Sequence, residues 1–262
     1  HRKLESEVFK NADITLATSY TDAENFRKKG ANAFCITNGF DVDASTTLSM
    51  TEENSKTLPL SNSTTKFKLS YIGVLEQLRN PDILWETLND LVEENADFKN
   101  DFELKFVGRL DDKILQKIES SALKNNLTNL GYQTHDVALK HMQDSTVLLM
   151  TNFPQESSKG IIPGKIFEYL ATGKTILSFG PKDADVEKIL NETKAGKHFG
   201  YDEKEVTQAV NSAYGNIHEF GKNEKYEAPK NPTPKTQKPT TIIEDEDDED
   251  KPKPTQIDRL EL

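Results

Sequence analysis

From residue 67 onward the chain alternates between two hydrophobic rhythms. Short apolar runs at 67–73 (FKLSYIG), 102–107 (FELKFV), 127–130, 146–150 and 175–179 read as strands. Between them, residues 81–94, 112–124, 135–142, 184–190 and 203–213 carry apolar positions every third or fourth residue, the spacing of one helix face. A further short strand is expected near 198–199. A similar rhythm opens the chain, with a helix end at 4–10, a strand at 13–18, a helix at 19–30 and a strand at 33–37, closed by the turn pair Asn38-Gly39. Strands alternating with helices imply βαβ units wound right-handed onto a parallel sheet. The expected fold is α/β, with a Rossmann-like parallel sheet lobe at 67–220. Such sheets take ligands at the carboxyl ends of their strands, so residues that follow strands are the candidates for chemistry.

Two stretches keep no rhythm. Residues 43–66 are rich in Ser, Thr, Asn and Glu and read as a surface connection, partly disordered. Residues 221–262 hold six of the eleven prolines and an unbroken acidic run, 244–250. Such a composition cannot bury apolar surface, so a disordered tail is expected there, serving solubility or acting as an interaction tail.

The chain is organised around residues 154–180, PQESSKGIIPGKIFEYLATGKTILSFG. A loop rich in Ser, Gly and Lys (157–164) leads into a helical run at 165–172, which Gly173 ends before the strand at 175–179. Pro163 sits where a first-turn proline is tolerated, because its missing N–H would be unpaired there anyway. Gly173 suits the left-handed residue that closes a helix. At about 100° per residue, Ile166, Phe167, Leu170 and Ala171 share one face, and Lys165, Glu168, Tyr169 and Thr172 the other. The first face is expected to pack on the sheet. Lys165 and Glu168 would then project together beside a helix N-terminus, whose free N–H groups and dipole favour an anion such as a phosphate. The plain alternative is a solvated i,i+3 pair worth about 0.2–0.5 kcal/mol.

Two strand ends add to this. In YIGVLEQLRNP (71–81), Gly73 lets backbone approach a diphosphate closely, and Arg79 can neutralise it with a charged fork. In FVGRL (106–110) and GYQTH (131–135), glycines again follow strands.

Charge and composition then narrow the classes. A net charge of −11 and a pI near 5.1 argue against a nucleic-acid partner reached through electrostatics. The single cysteine, Cys35, has no partner for an internal disulfide, which fits a reducing, cytoplasmic setting. No apolar run approaches the roughly 18 residues of a membrane span. The first residue is His1, followed by a basic pair and then acidic residues, so the chain reads as a piece of a longer one without a signal peptide. The five histidines show no metal-ligand spacing, and neither a Ser/His/Asp nor a Cys/His nucleophile arrangement is readable. No metal or cofactor is expected, and no catalytic residue is assigned. His135 sits where a helix begins and is not assigned a catalytic role.

PGKIFEYLATGKTILSFGP resembles the donor-binding segment of GT-B glycosyltransferases of the large retaining group, family 4. The resemblance spans about residues 1–215 and is densest at 160–181. It implies that residues 1–42 end an N-terminal GT-B domain, that NGFD (38–41) marks the passage between domains, and that 67–220 bind a nucleotide-sugar. On that resemblance Glu168 would bind the donor ribose. Gly160 and Ile161, in the loop up to Gly164, would face sugar and phosphates. Many members carry a second acidic residue where this chain has Gly160. They also carry an arginine where it has Val74, after Gly73; Arg79 can stand in for their lysine, and Lys165 for the missing charge. Arg109 and Tyr132 would border the base. The implied partners are a nucleoside diphosphate sugar and a saccharide or lipid-linked acceptor, with peripheral association of the parent at the inner face of a membrane. The rival reading is a nucleotide-sugar-binding or scaffold module without catalysis, its acidic tail recruiting a basic partner.

Overall fold

The computed structural model describes residues 2–39 and 66–220, all within one compact unit. The expectations for the connection at 43–66 (residue 66 apart) and for the tail at 221–262 lie outside the described residues.

The first unit of structure is helix α1 (Arg2–Asn11), strand β1 (Thr15–Ala17), helix α2 (Tyr20–Lys28) and strand β2 (Ala33–Cys35). β1 and β2 pair in parallel, with Leu16 opposite Phe34. Ser19 starts α2, its hydroxyl accepting from the Asp22 N–H at 3.1 Å, which satisfies one of the orphan donors of the first turn. Phe9, Ala31 and Ala33, with Phe26, form a small core of their own.

The main sheet has six parallel strands: β3 (Phe67–Ile72), β4 (Phe102–Val107), β5 (Leu127–Asn129), β6 (Val147–Thr151), β7 (Thr175–Phe179) and β8 (Gly196–Phe199), in the spatial order β5-β4-β3-β6-β7-β8. Alternate residues of the central strands feed two cores, one on each face. Phe67, Leu69 and Tyr71 of β3 with Leu149 of β6 pack beneath α3 (Asp82–Glu94), α4 (Ala96–Asp101), α5 (Asp112–Glu119) and α9 (Val206–Phe220). Ile72, Leu148 and Met150 pack beneath α6 (His135–Asp144), α7 (Lys165–Ala171) and α8 (Asp185–Thr193). Central strands buried on both faces explain why these segments read as apolar runs rather than alternating ones.

Three helices differ from the reading of the sequence. α4 was not expected; its six residues bury only Phe98, and Asn95 starts it by accepting from the N–H groups of Asp97 and Phe98 at 3.0 Å each. The helix expected over 112–124 ends at Glu119. There Ser120 and Ser121 turn their hydroxyls onto the Gln116 and Ile118 carbonyls, at 2.7 and 2.8 Å, and a 3-10 turn over Ala122–Asn126 follows. Serine hydroxyls offer backbone groups this alternative to a continued helix. α9 runs past Ala213 to Phe220, carried by Tyr214, whose ring packs 5.7 Å from Phe67 and 4.9 Å from Phe98.

Candidate functional site

The strand order reverses between β3 and β6. β3 continues outward to β4 and β5, whereas β6 begins the run to β7 and β8. β3 and β6 pair only from Leu69 to Tyr71 against Val147 to Leu149, while β6 stays paired with β7 as far as Thr151. At the carboxyl end the two strands therefore part, which is where an open α/β sheet forms its ligand crevice. β3 and β4 are each followed directly by a glycine at φ +124, Gly73 and Gly108. A Cβ on Gly108 would lie inside the Gly73 carbonyl, and a Cβ on Gly73 would run into the Lys165 amine. Only glycine fits at either place.

Lys165 occupies this crevice. Its Nζ donates to the Ile72 carbonyl at 2.5 Å and lies 5.1 Å from the centre of the Tyr71 ring. Burial, helped by the nearby Arg79 charge and opposed by Glu168, pulls its pKa down to about 8. The expected solvent-facing lysine is thus held inside, and it reaches the Gly73 turn from α7. Arg79, from the 3-10 turn Gln77–Arg79, folds back over the same turn. Its guanidinium donates to the Val74 carbonyl at 2.8 Å, stacks 5.2 Å above the Phe153 ring and stands 3.5 Å from Glu76. Its Nε is buried with no hydrogen-bond partner among the described residues.

Glu168 stands one turn along α7, half-buried, with Oε1 3.9 Å from Nε2 of His135 at the start of α6. Tyr169 corrects the expected face of this helix. The spacing predicts it beside Glu168 on the polar side, but it is fully buried, and the apolar residues Phe167, Leu170 and Ala171 are only partly covered. The buried stripe runs through Ile166 and Tyr169 with the Lys165 amine beside it, about one residue around the helix from the expected one. Tyrosine can sit on either side, since an apolar ring carries one polar tip that needs a partner. Here the hydroxyl finds two, accepting from the Ile72 N–H at 3.3 Å and donating to the Leu149 carbonyl at 3.4 Å.

The loop before α7 is anchored on either side of Gly160. The Ile161 carbonyl accepts from the Asn152 side chain at 2.8 Å, and the Lys159 carbonyl accepts from the Asp185 N–H at 2.8 Å. Ile161 itself is exposed. Gly160 faces the start of α2; a Cβ there would meet the Ser19 hydroxyl at 3.0 Å and the Thr21 Cβ at 3.2 Å.

No family model and no curated protein matches the chain. Solved structures do. A glycosyltransferase from Rickettsia africae ESF-5 is similar over 83% of this chain and 58% of its own, with a TM-score of 0.59 and 14% identity. Anabaena Alr3699/HepE, solved with UDP and glucose, is similar over 83% and 57%, with a TM-score of 0.55 and 16% identity. WaaG, a glycosyltransferase involved in lipopolysaccharide biosynthesis, is similar over 80% and 58%, with a TM-score of 0.54 and 13% identity. These neighbours are GT-B glycosyltransferases. The fold is that of a GT-B lobe. The chain spans 57–58% of the length of these three proteins.

Within the GT-B lobe, Gly73, Arg79, Lys165 and Glu168 come together around the parting of β3 and β6. Arg109 and Tyr132 follow β4 and β5, one and two strands away, both exposed, with Tyr132 at 89%. No hydrogen bond joins their side chains to the first group among the described residues, although the β5–α6 connection reaches it through His135. Reasoning from sequence missed Tyr169, Asn152 and Tyr201. Tyr201, just after β8, donates its hydroxyl to the Arg79 carbonyl at 3.2 Å and to the Asn152 carbonyl, tying the Arg79 turn to the end of β6. The signal for Asn152 lay in its place two residues after the strand expected at 146–150; Tyr201 had none, since its partners are 49 and 122 residues away.

Proposed function

We propose that this GT-B lobe binds a nucleoside diphosphate sugar and that the whole protein transfers the sugar, with retention, to a saccharide or lipid-linked acceptor. The observation that carries the reading is the pairing of two cations at the parting of the sheet. Lys165 holds the Ile72 carbonyl and Arg79 the Val74 carbonyl, one on each side of Gly73. Burial first and the Arg79 charge second pull the Lys165 pKa down to about 8, so at neutral pH the amine still holds its proton. Two like charges held beside a glycine turn are stabilised when a diphosphate enters between them. As the sugar leaves, negative charge grows on the diphosphate, and cations fixed in advance stabilise that charge at no cost in reorganisation. Glu168, half-buried on the same helix, would accept from the ribose hydroxyls. Gly160 and Ile161 would border the sugar, Arg109 and Tyr132 the base.

Calorimetric titration tests this. Uridine or guanosine diphosphate should bind, the matching monophosphate should bind at least about tenfold more weakly, and Lys165→Met should erase that difference, at about 1.4 kcal/mol per decade. Equal affinity for diphosphate, monophosphate and nucleoside would overturn the reading.

A second reading, a nucleotide-sugar-binding module without turnover, is favoured by Gly160. The position has no carboxylate, and Ser19 and Thr21 stand close against it. Turnover of bound donor by the full-length protein, with an acceptor extract, separates the two.

A further inference from the structure

Tyr169 is the buried polar group that the reading above leaves without a task. Ile72 is the last residue of β3, and its two backbone groups both turn away from the neighbouring strand toward α7. The carbonyl accepts from the Lys165 amine at 2.5 Å, and the N–H donates to the Tyr169 hydroxyl at 3.3 Å. That hydroxyl reaches across the opening to the Leu149 carbonyl of β6 at 3.4 Å. Tyr169 and Lys165 are four residues apart on α7 and so lie on one helix face. Between them they clamp both ends of one residue. The next residue, Gly73, has φ +124 and sits against the amine. Any rotation of the Ile72–Gly73 peptide would therefore move the only acceptor that the Lys165 amine has among the described residues.

Resting on the diphosphate reading, we propose that Tyr169 is a positioning residue: by holding Ile72 in place across the parted strands, it fixes where the Lys165 amine meets the diphosphate. Glu168, the neighbour in sequence, contacts the ligand side; Tyr169 acts only through Ile72 and Lys165. Tyrosine suits the task because its hydroxyl accepts from one strand and donates to the other at once.

The test uses the whole chain, titrated with uridine diphosphate, beside the Lys165 amine followed by NMR in the ligand-free protein. Tyr169→Phe removes both hydrogen bonds. 4-Aminophenylalanine introduced at position 169 keeps the size and a donor for Leu149 while giving Ile72 a poorer acceptor, and it serves where the phenylalanine variant does not fold. Either variant is expected to weaken diphosphate binding about tenfold, the worth of one charge-assisted hydrogen bond. The same change is expected to move the Lys165 titration up from about 8 toward the ordinary lysine value as the amine swings out to water. In a Lys165→Met background the loss of binding should vanish, because there is no amine left to position. A folded variant with unchanged titration and unchanged affinity would overturn the proposal, as would an equal loss in the Lys165→Met background. Should the unaltered chain bind no nucleoside diphosphate, the reading beneath falls, and the Lys165 titration alone then upholds or overturns the clamp.

Discussion

The carboxylate of Asp185 accepts two hydrogen bonds from Thr21, one from its N–H at 2.8 Å and one from its hydroxyl at 2.9 Å. Asp185 opens α8 in the main lobe and is fully buried, whereas Thr21 lies in the first turn of α2, 164 residues earlier. The buried carboxylate thus satisfies donors from the short N-terminal βαβ unit, and its own N–H fixes the Lys159 carbonyl beside Gly160. One residue, through its side chain and its backbone N–H, joins three segments around the loop that precedes α7.

Asp185→Ala is expected to lower stability by about 2–4 kcal/mol, two charge-assisted hydrogen bonds less what water recovers. Thr21→Val should cost less, about 1–2 kcal/mol, since it keeps the N–H bond. Urea denaturation of both variants checks this; a change within about 0.5 kcal/mol for Asp185→Ala would make the contact incidental.

Glu168→Ala should leave the fold intact, because alanine is at least as good a helix former and the carboxylate is only half-buried. Affinity for a nucleoside diphosphate should fall about tenfold or more, from lost bonds of about 1.5–3 kcal/mol each. Calorimetry on a folded variant decides it. Equal affinities would leave Glu168 as a solvent-facing partner of His135.

Lys165 sets a pH dependence with a definite sign. Its pKa is about 8 in the folded chain and ordinary, 10.5, when unfolded. Between these values the unfolded chain binds more protons, so stability should rise with pH across that window. The penalty is fully present below pH 8, where both states are protonated, and is gone above 10.5. It amounts to about 3 kcal/mol at most. Diphosphate affinity should move the opposite way and fall as pH rises through 8, as the cation is lost. Lys165→Met should flatten both profiles between pH 7 and 10, and a wild-type stability curve already flat there would contradict the assignment.

Gly160→Glu should not rescue a missing acidic contact. A Cβ would press on the Ser19 hydroxyl at 3.0 Å and the Thr21 Cβ at 3.2 Å, so overpacking of about 1–3 kcal/mol is expected. A variant that melts at the wild-type temperature and binds donor more tightly would show that the loop yields easily.

The sequence by itself determined the parallel α/β lobe, because strands covered on both faces must be apolar at nearly every position: VLLMT of β6 is buried throughout. It also determined the ends of β4 and β7 and the start of α7, where Gly and Pro restrict the backbone, and it singled out Gly73, Lys165 and Glu168 as residues at strand or helix ends. What it could not determine was which way α7 faces. Seven residues make two turns, too few for a periodicity to outvote one amphipathic tyrosine, and only the parted backbones of β3 and β6 give the Tyr169 hydroxyl its partners. The same holds for Arg79, which its own Val74 carbonyl and Phe153 draw back over the turn, and for Asp185 and Tyr201, whose partners lie far along the chain. Apolar rhythm is written locally, since it records only inside and outside. A buried polar group is placed by the donor or acceptor that meets it, and that meeting exists only after the sheet has assembled.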